Sequence, residues 1–365
     1  MEQNLKQVSK QGVSSLIGEG TLVPVGGQRL FKIESLRVEN SVLTPCKPSK
    51  IVGNQSNVVE LIDLGLSYGA TVPLSKQQTQ QVYTDEGLVY KSVEELEIGD
   101  IVPVKTGVYK YEVDSLAYEF GRMSSMSTTL NALIMLSDFI LKHEVSQSVS
   151  WIEGFLNGSK ELSIVASDEQ LGYCKILANR IATLYSSIGQ LVSIKSEKMI
   201  ISSDNSKLSF RPKDTDLYLD IDNLDVQLKW QGYPETVNVK SNVNWFVEGK
   251  EVNRIILTWQ ICCETIIPKQ YGKYLYSINK RLKNRCWKLP ILSFLQGSND
   301  LTLNQFLEAF EDFDEGEDVR KGLRFVTIEE KSQSYQGLGF NLLVKGNNSY
   351  VANGLVVEGQ SKCNV

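Results

Sequence analysis

Histidine is almost missing from this chain: His143 is the only one in 365 residues. That rules out a multi-histidine zinc site and any relay in which two imidazoles exchange protons. Cysteine is present without pattern. Cys46, Cys174, Cys262, Cys263, Cys286 and Cys363 show no C-x-x-C spacing, so a reducing compartment and no structural zinc are expected. No apolar run reaches the roughly eighteen residues a membrane span needs. The opening M-E-Q-N-L-K-Q-V-S-K-Q-G is polar and has no signal-peptide core, so a chain that is not secreted is expected. Positive charge is not in excess either. The net charge is −5, whereas the footprint of a dedicated nucleic-acid binder is basic.

What is present suits a globular chain. Hydrophobic residues make up 42 % and charged residues 22 %, and the length allows two or three domains with sizeable cores. The most structured stretch lies near the end, Gly339 to Val357, G-F-N-L-L-V-K-G-N-N-S-Y-V-A-N-G-L-V-V. Phe340 to Val344 is an apolar run of strand length. Asn353-Gly354 predicts a hairpin between Tyr350–Ala352 and Leu355–Val357, because a type I′ turn needs positive φ at both central residues.

This run resembles the closing block of inteins and of the wider hedgehog–intein (Hint) family, V-Y-D-L-x-V-E-G-N-H-x-F-V-A-N-G-I-V-V-H-N. The family's penultimate His and terminal Asn fall on Glu358 and Gly359, and its inner His on Asn348. Ser14 to Val25 is similar to the opening block, C-L-x-G-D-T-x-V. With one residue inserted the nucleophile falls on Ser15, without it on Leu16; a strand with ordinary polar residues is the alternative. Gln77 to Gly87 resembles the second block, T-x-x-H-x-V-x-T-x-x-G, and puts the activating His on Gln80 and the Thr on Gln77. Ser92 to Val104, S-V-E-E-L-E-I-G-D-I-V-P-V, follows a further Hint segment with Gly99-Asp100 as its turn.

Between these blocks, Leu116 to Met123 resembles the start of a LAGLIDADG homing-endonuclease helix, whose metal-binding Asp would fall on Met126. Residues 151–159, W-I-E-G-F-L-N-G-S, resemble a second such motif, with Asn157 at the acid position. A strand at Leu162–Ala166 follows. Ser167 and Gln170 form a capping box opening a helix to Gly189, and strands are expected at 191–195 and 199–202. An amphipathic helix is expected over 128–144, with His143 near its last turn, where a cation suits the helix dipole.

Residues 209–297 match no known pattern; strands are expected at 217–221, 226–230 and 255–265. Residues 269–288 carry seven basic residues and no acid, interleaved with Tyr271, Tyr274, Tyr276 and Trp287. Lys280, Arg281, Lys283, Arg285 and Lys288 are the nucleic-acid-binding candidates. The alternative is a solvated face answered by the seven acids of residues 308–318. Thr302 and Gln305 cap a short helix after which Asp312 and Asp314 are weak metal candidates; an acidic helix end is the plainer reading.

The resemblance implies an α+β chain. A β-rich Hint-like horseshoe would form from residues 14–108 and 330–359 after an arm at 1–13. Residues 109–208 would be a degenerate LAGLIDADG-like insertion, and 209–329 its unassigned extension. Splicing needs a nucleophile, an activating group and a terminal Asn. Gly359 has no side chain to cyclise, and Gln80 is no general acid or base near neutral pH. DNA cutting needs an acid from each of two helices to hold a metal, and Met126 and Asn157 supply none. The expectation is an intein-derived structural or binding protein, cytoplasmic or virion-associated, with no cofactor and a protein partner. The alternatives are an endonuclease-like DNA binder or cutter and a partial self-cleaver at Ser15.

Overall fold

A computed structural model describes residues 16–45, 47–124, 129–166, 168–204, 207–212, 219–221, 226–228, 237–239, 251–259, 265–346 and 349–358. Strands open the chain: β1 (Ile17–Gly18), β2 (Leu22–Val25), β3 (Arg29–Lys32), β4 (Ser41–Leu43), β5 (Pro48–Leu66), β6 (Thr71–Ser75), β7 (Thr79–Thr84), β8 (Gly87–Ser92) and β9 (Ile101–Lys105). Helices α1 (Ser115–Ser124), α2 (Thr129–Lys142) and α3 (Val145–Leu156) follow. Next come β10 (Glu161–Ala166), α4 (Asp168–Ser187), β11 (Val192–Asp204), β12 (Lys207–Pro212), β13 (Leu219–Ile221), β14 (Val226–Leu228), β15 (Val237–Val239) and β16 (Glu251–Trp259). The third stretch holds β17 (Ile266–Ile267), α5 (Lys269–Ile278), α6 (Lys280–Lys283), α7 (Leu289–Leu295), β18 (Leu301–Thr302), α8 (Leu303–Ala309) and α9 (Glu317–Arg320). Strands β19 (Leu323–Lys331), β20 (Tyr335–Val344), β21 (Ser349–Ala352) and β22 (Leu355–Glu358) close it, making a mixed α+β chain.

Among the described residues, thirteen strands from both ends of the sequence form one sheet, eight along the path β20-β1-β6-β5-β19-β9-β22-β21 and β2, β3, β4, β7 and β8 branching from it. Strands β2, β9 and β22 all belong to it, and the chain rejoins it at Leu323 through β19, which pairs with β9 and β5. The turn between β21 and β22 is the one Asn353-Gly354 predicts. Both residues have positive φ, 45° and 82°, and Ala352 faces Leu355 across it. Strand β5 is longer than the sequence shows. It runs 19 residues, and its first half forms a ribbon with β20 from Ile51↔Val344 to Leu61↔Tyr335.

The apolar core of this sheet continues into the helices. Leu64, Val72 and Val104 share one buried cluster with Trp151 of α3 and Leu177, Ile181 and Tyr185 of α4. Burial of each such side chain is worth roughly 1.5–3 kcal/mol, so the helices are held by the same core as the sheet. Asn179 of α4 adds a polar anchor: its Nδ2 donates to the Thr71 carbonyl and its Oδ1 accepts from Thr71 N–H, both at 3.0 Å.

Helices α1 and α3 cross at two glycines. A Cβ on Gly121 would run into the Trp151 carbonyl, and one on Gly154 into the Tyr118 carbonyl. Helix α4 packs on the sheet β10-β16-β11-β12-β13. The strands expected at 191–195 and 199–202 are one strand, β11. The intervening Ser196-Glu197-Lys198 contains no Gly or Pro, and pairing with β16 runs unbroken from Val192↔Trp259 to Ile200↔Glu251. The strand expected over 255–265 is β16, shifted toward the N-terminus, with residues 260–264 outside the described ones. A second core, built on Tyr271, Phe294, Phe306 and Phe310, gathers α5–α9 and reaches the main sheet through Tyr83, whose ring meets Phe325 edge-on at 5.2 Å.

Candidate functional site

Of the positions that the sequence marks for splicing chemistry, Leu16, Gln77, Gln80 and Glu358 are described, in or beside strands of the large sheet. Strand β1 lies between β6 and β20, with Ile17 facing both Leu74 and Phe340. One step back, Leu16 N–H donates to Ser75 Oγ at 3.1 Å, and Ser75 N–H donates to the Leu16 carbonyl at 2.7 Å. Antiparallel register puts Asn341 on the other side of Leu16. Ser15, Asn348 and Gly359 lie outside the described residues, as does Met126. Glu358 pairs with Ser349 at the end of β22.

Gln80 is buried on β7, and its Nε2 donates to the Val356 carbonyl of β22 at 2.7 Å. It therefore holds the last strand against the second block. An amide is neutral and carries no exchangeable acid or base function near pH 7, so this contact positions but cannot relay a proton. Gln77, aligned with the family's Thr, is exposed, and the inward residue is Gln78. Strand alternation explains this, since residues two apart share a face. Both amide atoms of Gln78, both of Asn341, and Oε1 of Gln80 are buried without a hydrogen-bond partner. Unpaired buried polar groups cost about 1–3 kcal/mol each, so packing alone does not account for these amides.

Asn353 ties the β21–β22 turn to β2 and β6. Its Oδ1 accepts from Leu22 N–H at 2.7 Å, its Nδ2 donates to the Thr71 carbonyl at 2.8 Å, and its own carbonyl accepts from the Tyr68 hydroxyl. Burial raises the Tyr68 phenol far above its ordinary value, so it stays a donor. Gln78, Asn341, Tyr68 and the contacts of Asn353 escape a reading of the sequence by motif. The one available signal was a polar Asn341 inside the apolar run Phe340–Val344.

At the endonuclease-like motifs the structure places Asn157 as the C-cap of α3, in the left-handed region at φ 47°. Its amide closes the helix against the carbonyls of Glu153 and Gly154. Nearby, Tyr111 donates to the Glu153 carboxylate, and Asp114 caps α1 by accepting from Ala117 N–H at 2.9 Å. Arg254 bonds Glu197 at 2.9 Å and Glu161 at 3.3 Å. Asp312 and Asp314 are exposed, and among the described residues no group of three or more His, Cys, Asp or Glu could hold a metal. His143 follows α2 and stacks on Phe139 at 3.8 Å.

Lys280, Arg281, Lys283, Arg285 and Lys288 are all exposed on and after α6. Lys283 lies 5.7 Å from the Tyr276 ring, and Arg285 lies 4.9 Å from both Trp287 and Phe313. Among the described residues no ion pair joins this run to the acids of 308–318; Glu317 pairs with Lys321 instead. The basic run is therefore a solvent-exposed face. No helix of the described residues is long and apolar enough to cross a membrane.

No family model and no curated protein matches the chain. Solved structures that align with it include the gp41-1 intein, at 15 % identity over 26 % of this chain and 70 % of that one, with a TM-score of 0.22. The Msm DnaB1 intein splicing domain bound with zinc aligns at 15 % identity over 24 % and 66 %, TM-score 0.21. A G-1F mutant of the Ssp DnaB mini-intein variant M86 aligns at 9 % identity over 95 % and 100 %, TM-score 0.28. None of the three reaches a TM-score at which superposition alone would establish a shared fold.

Proposed function

We propose that this is an intein-derived chain that has lost both splicing and DNA cleavage and acts as a non-catalytic structural or binding protein. Its scaffold is a Hint-like β domain built from both ends of the sequence, with residues 109–208 as a degenerate LAGLIDADG-like insertion and 209–329 as an extension that returns to the β domain through β19 from Leu323. The observation that carries the proposal is Gln80: at the position of the family's activating His stands a buried amide whose one hydrogen bond goes to the backbone of β22. A general acid–base group is typically worth ~10²–10⁴ in rate, and Gln80 offers none. The close crossing of α1 and α3 at Gly121 and Gly154 supports the endonuclease-like part, and the cap role of Asn157 supports its inactivity. The setting is cytoplasmic or virion-associated, with a protein partner and no cofactor.

Incubation of the intact protein with excess of a strong thiol, read by intact mass, is expected to leave one full-length species. A fragment beginning at Ser15 would show surviving acyl-shift chemistry and overturn the proposal. A second reading, a DNA-binding remnant, is favoured by the exposed cations of Lys280, Arg281, Lys283, Arg285 and Lys288, which form no ion pair among the described residues.

A further inference from the structure

A cavity of about 400 Å³ opens where the β2–β3 hairpin meets the start of α3. It shares no residue with the Gln80–Val356 site. Val25, Phe31 and Leu36 give it an apolar floor, while Arg29, Asn40 and Glu144 stand at its rim. Among the described residues the Arg29 guanidinium has no hydrogen-bond or ion-pair partner. It forms no ion pair with Glu144 although both line the same cavity, so two opposite charges face one space without neutralising each other.

The backbone around this cavity is strained on both sides. Of the four non-glycine residues with positive φ among the described ones, two border it. Gln28, φ 57°, ends the hairpin loop that contributes Gly26 and Gly27, and Glu39, φ 74°, precedes Asn40 and Ser41. Neither is Asn or Asp, the types that tolerate this region, and such outliers gather at ligand clamps. The conformation at Gln28 also turns its carbonyl to accept Val145 N–H at 2.8 Å, which fixes the start of α3, and with it Glu144, against the hairpin.

We infer that this cavity is a binding site for a zwitterion of dipeptide size carrying an apolar or aromatic side chain. The terminal carboxylate would meet Arg29, the ammonium group Glu144, and the side chain the floor of Val25, Phe31 and Leu36. Charge complementarity sets the occupant: a purely anionic ligand would face Glu144, and a purely cationic one Arg29. Gly27, with nothing within 4 Å of where a Cβ would stand, leaves the ligand backbone room to approach the hairpin.

The test is calorimetric titration of the full chain with L-alanyl-L-phenylalanine, beside its N-acetylated, C-amidated form, which keeps the side chain and lacks both charges. Saturable binding of the free dipeptide, weakened about tenfold or more in the capped form and in Arg29→Gln, is expected, since a charge-assisted hydrogen bond is at stake in each. Arg29 is exposed and unpaired, so the variant should keep its fold, which circular dichroism would verify. Glu144→Gln should weaken the free dipeptide but leave N-acetyl-alanyl-phenylalanine, which has no ammonium group, unaffected. Equal binding of the charged and capped forms, or no saturable binding at millimolar concentration, would overturn the inference.

Discussion

At Asn353 one side chain and one backbone conformation act together. The residue sits at φ 45°, its Oδ1 holds Leu22 N–H, and its Nδ2 holds the Thr71 carbonyl. The Thr71 carbonyl also accepts from Asn179, so it stays paired when Asn353 is truncated, whereas Leu22 N–H does not. Asn353→Ala is therefore expected to cost about 2–3 kcal/mol, combining one orphaned buried donor with an alanine forced into the left-handed region. Asn353→Gly loses the same bonds without the strain and should fall short of that by about 1 kcal/mol. Urea denaturation of the three proteins would check the order; an alanine variant no worse than the glycine one would remove the strain from the account. Glu95 makes a smaller, pH-dependent contribution. Ser92 N–H at 2.9 Å and Ser92 Oγ–H at 2.8 Å both donate to its Oε2, and the backbone bond first, then the hydroxyl, hold the carboxyl below its ordinary 4.5. A lowered folded-state value gives stability that is present above the unfolded pKa and is lost as pH falls through the folded one. Between pH 7 and pH 3 the native protein should thus lose more denaturant resistance than Glu95→Gln; parallel losses would exclude the contribution.

Helix pairing carries the next scale. Alanine is a better helix former than glycine by about 1 kcal/mol, so on propensity alone Gly121→Ala and Gly154→Ala should stabilise α1 and α3. The structure reverses that sign. Each added methyl would meet the opposite helix backbone, Trp151 or Tyr118, and backbone cannot rotate away as a side chain can. Net destabilisation of about 1–3 kcal/mol is expected from the overpacking for either variant, visible as a lowered melting temperature; a raised one would mean the helices part more easily than their packing implies. These glycines were legible in the sequence only as letters of a motif, and what they touch was not. Elements with a local cause were plain. The Asn353-Gly354 turn needs only its own two residues, and the Thr302–Gln305 capping box opens α8 as its spacing says. The first half of β5 was not plain, because the ribbon it forms with β20 is largely wetted, and the mixed exposure of Gly53 to Asn57 leaves no alternating pattern to read. At the candidate site, Gln80 was found by alignment, while Gln78 and Asn341 became visible only when strands from opposite ends of the chain met around Leu16.

Charge belongs to the whole molecule. A net charge of −5 sits on a chain whose basic residues are unevenly placed, since the β10-β16-β11 face neutralises Arg254 between Glu161 and Glu197. The positive pole is elsewhere, at Lys280, Arg281, Lys283, Arg285 and Lys288, beyond the part that resembles an endonuclease. Two arrangements of DNA on this surface predict different salt behaviour. If duplex DNA lay on the sheet, Arg254 would offer little, being already paired on both sides. If it lay on α6, each of the five cations would release counterions, giving a log–log salt slope of up to about −4.5 and a steep loss between about 50 and 200 mM salt. The non-catalytic proposal expects only weak binding of the second kind, and no strand cleavage with Mg²⁺ or Mn²⁺. Replacing Lys280 and Arg281 together by Ala should then flatten the slope by about 1.8, because each phosphate contact contributes about 0.9, while Arg254→Ala should leave it unchanged. Metal-dependent cutting abolished by Asp312→Asn or Asp314→Asn would overturn the proposal in favour of a nuclease. Tight binding that persists above about 200 mM salt and is weakened by replacing Lys280 and Arg281 would instead favour the DNA-binding remnant.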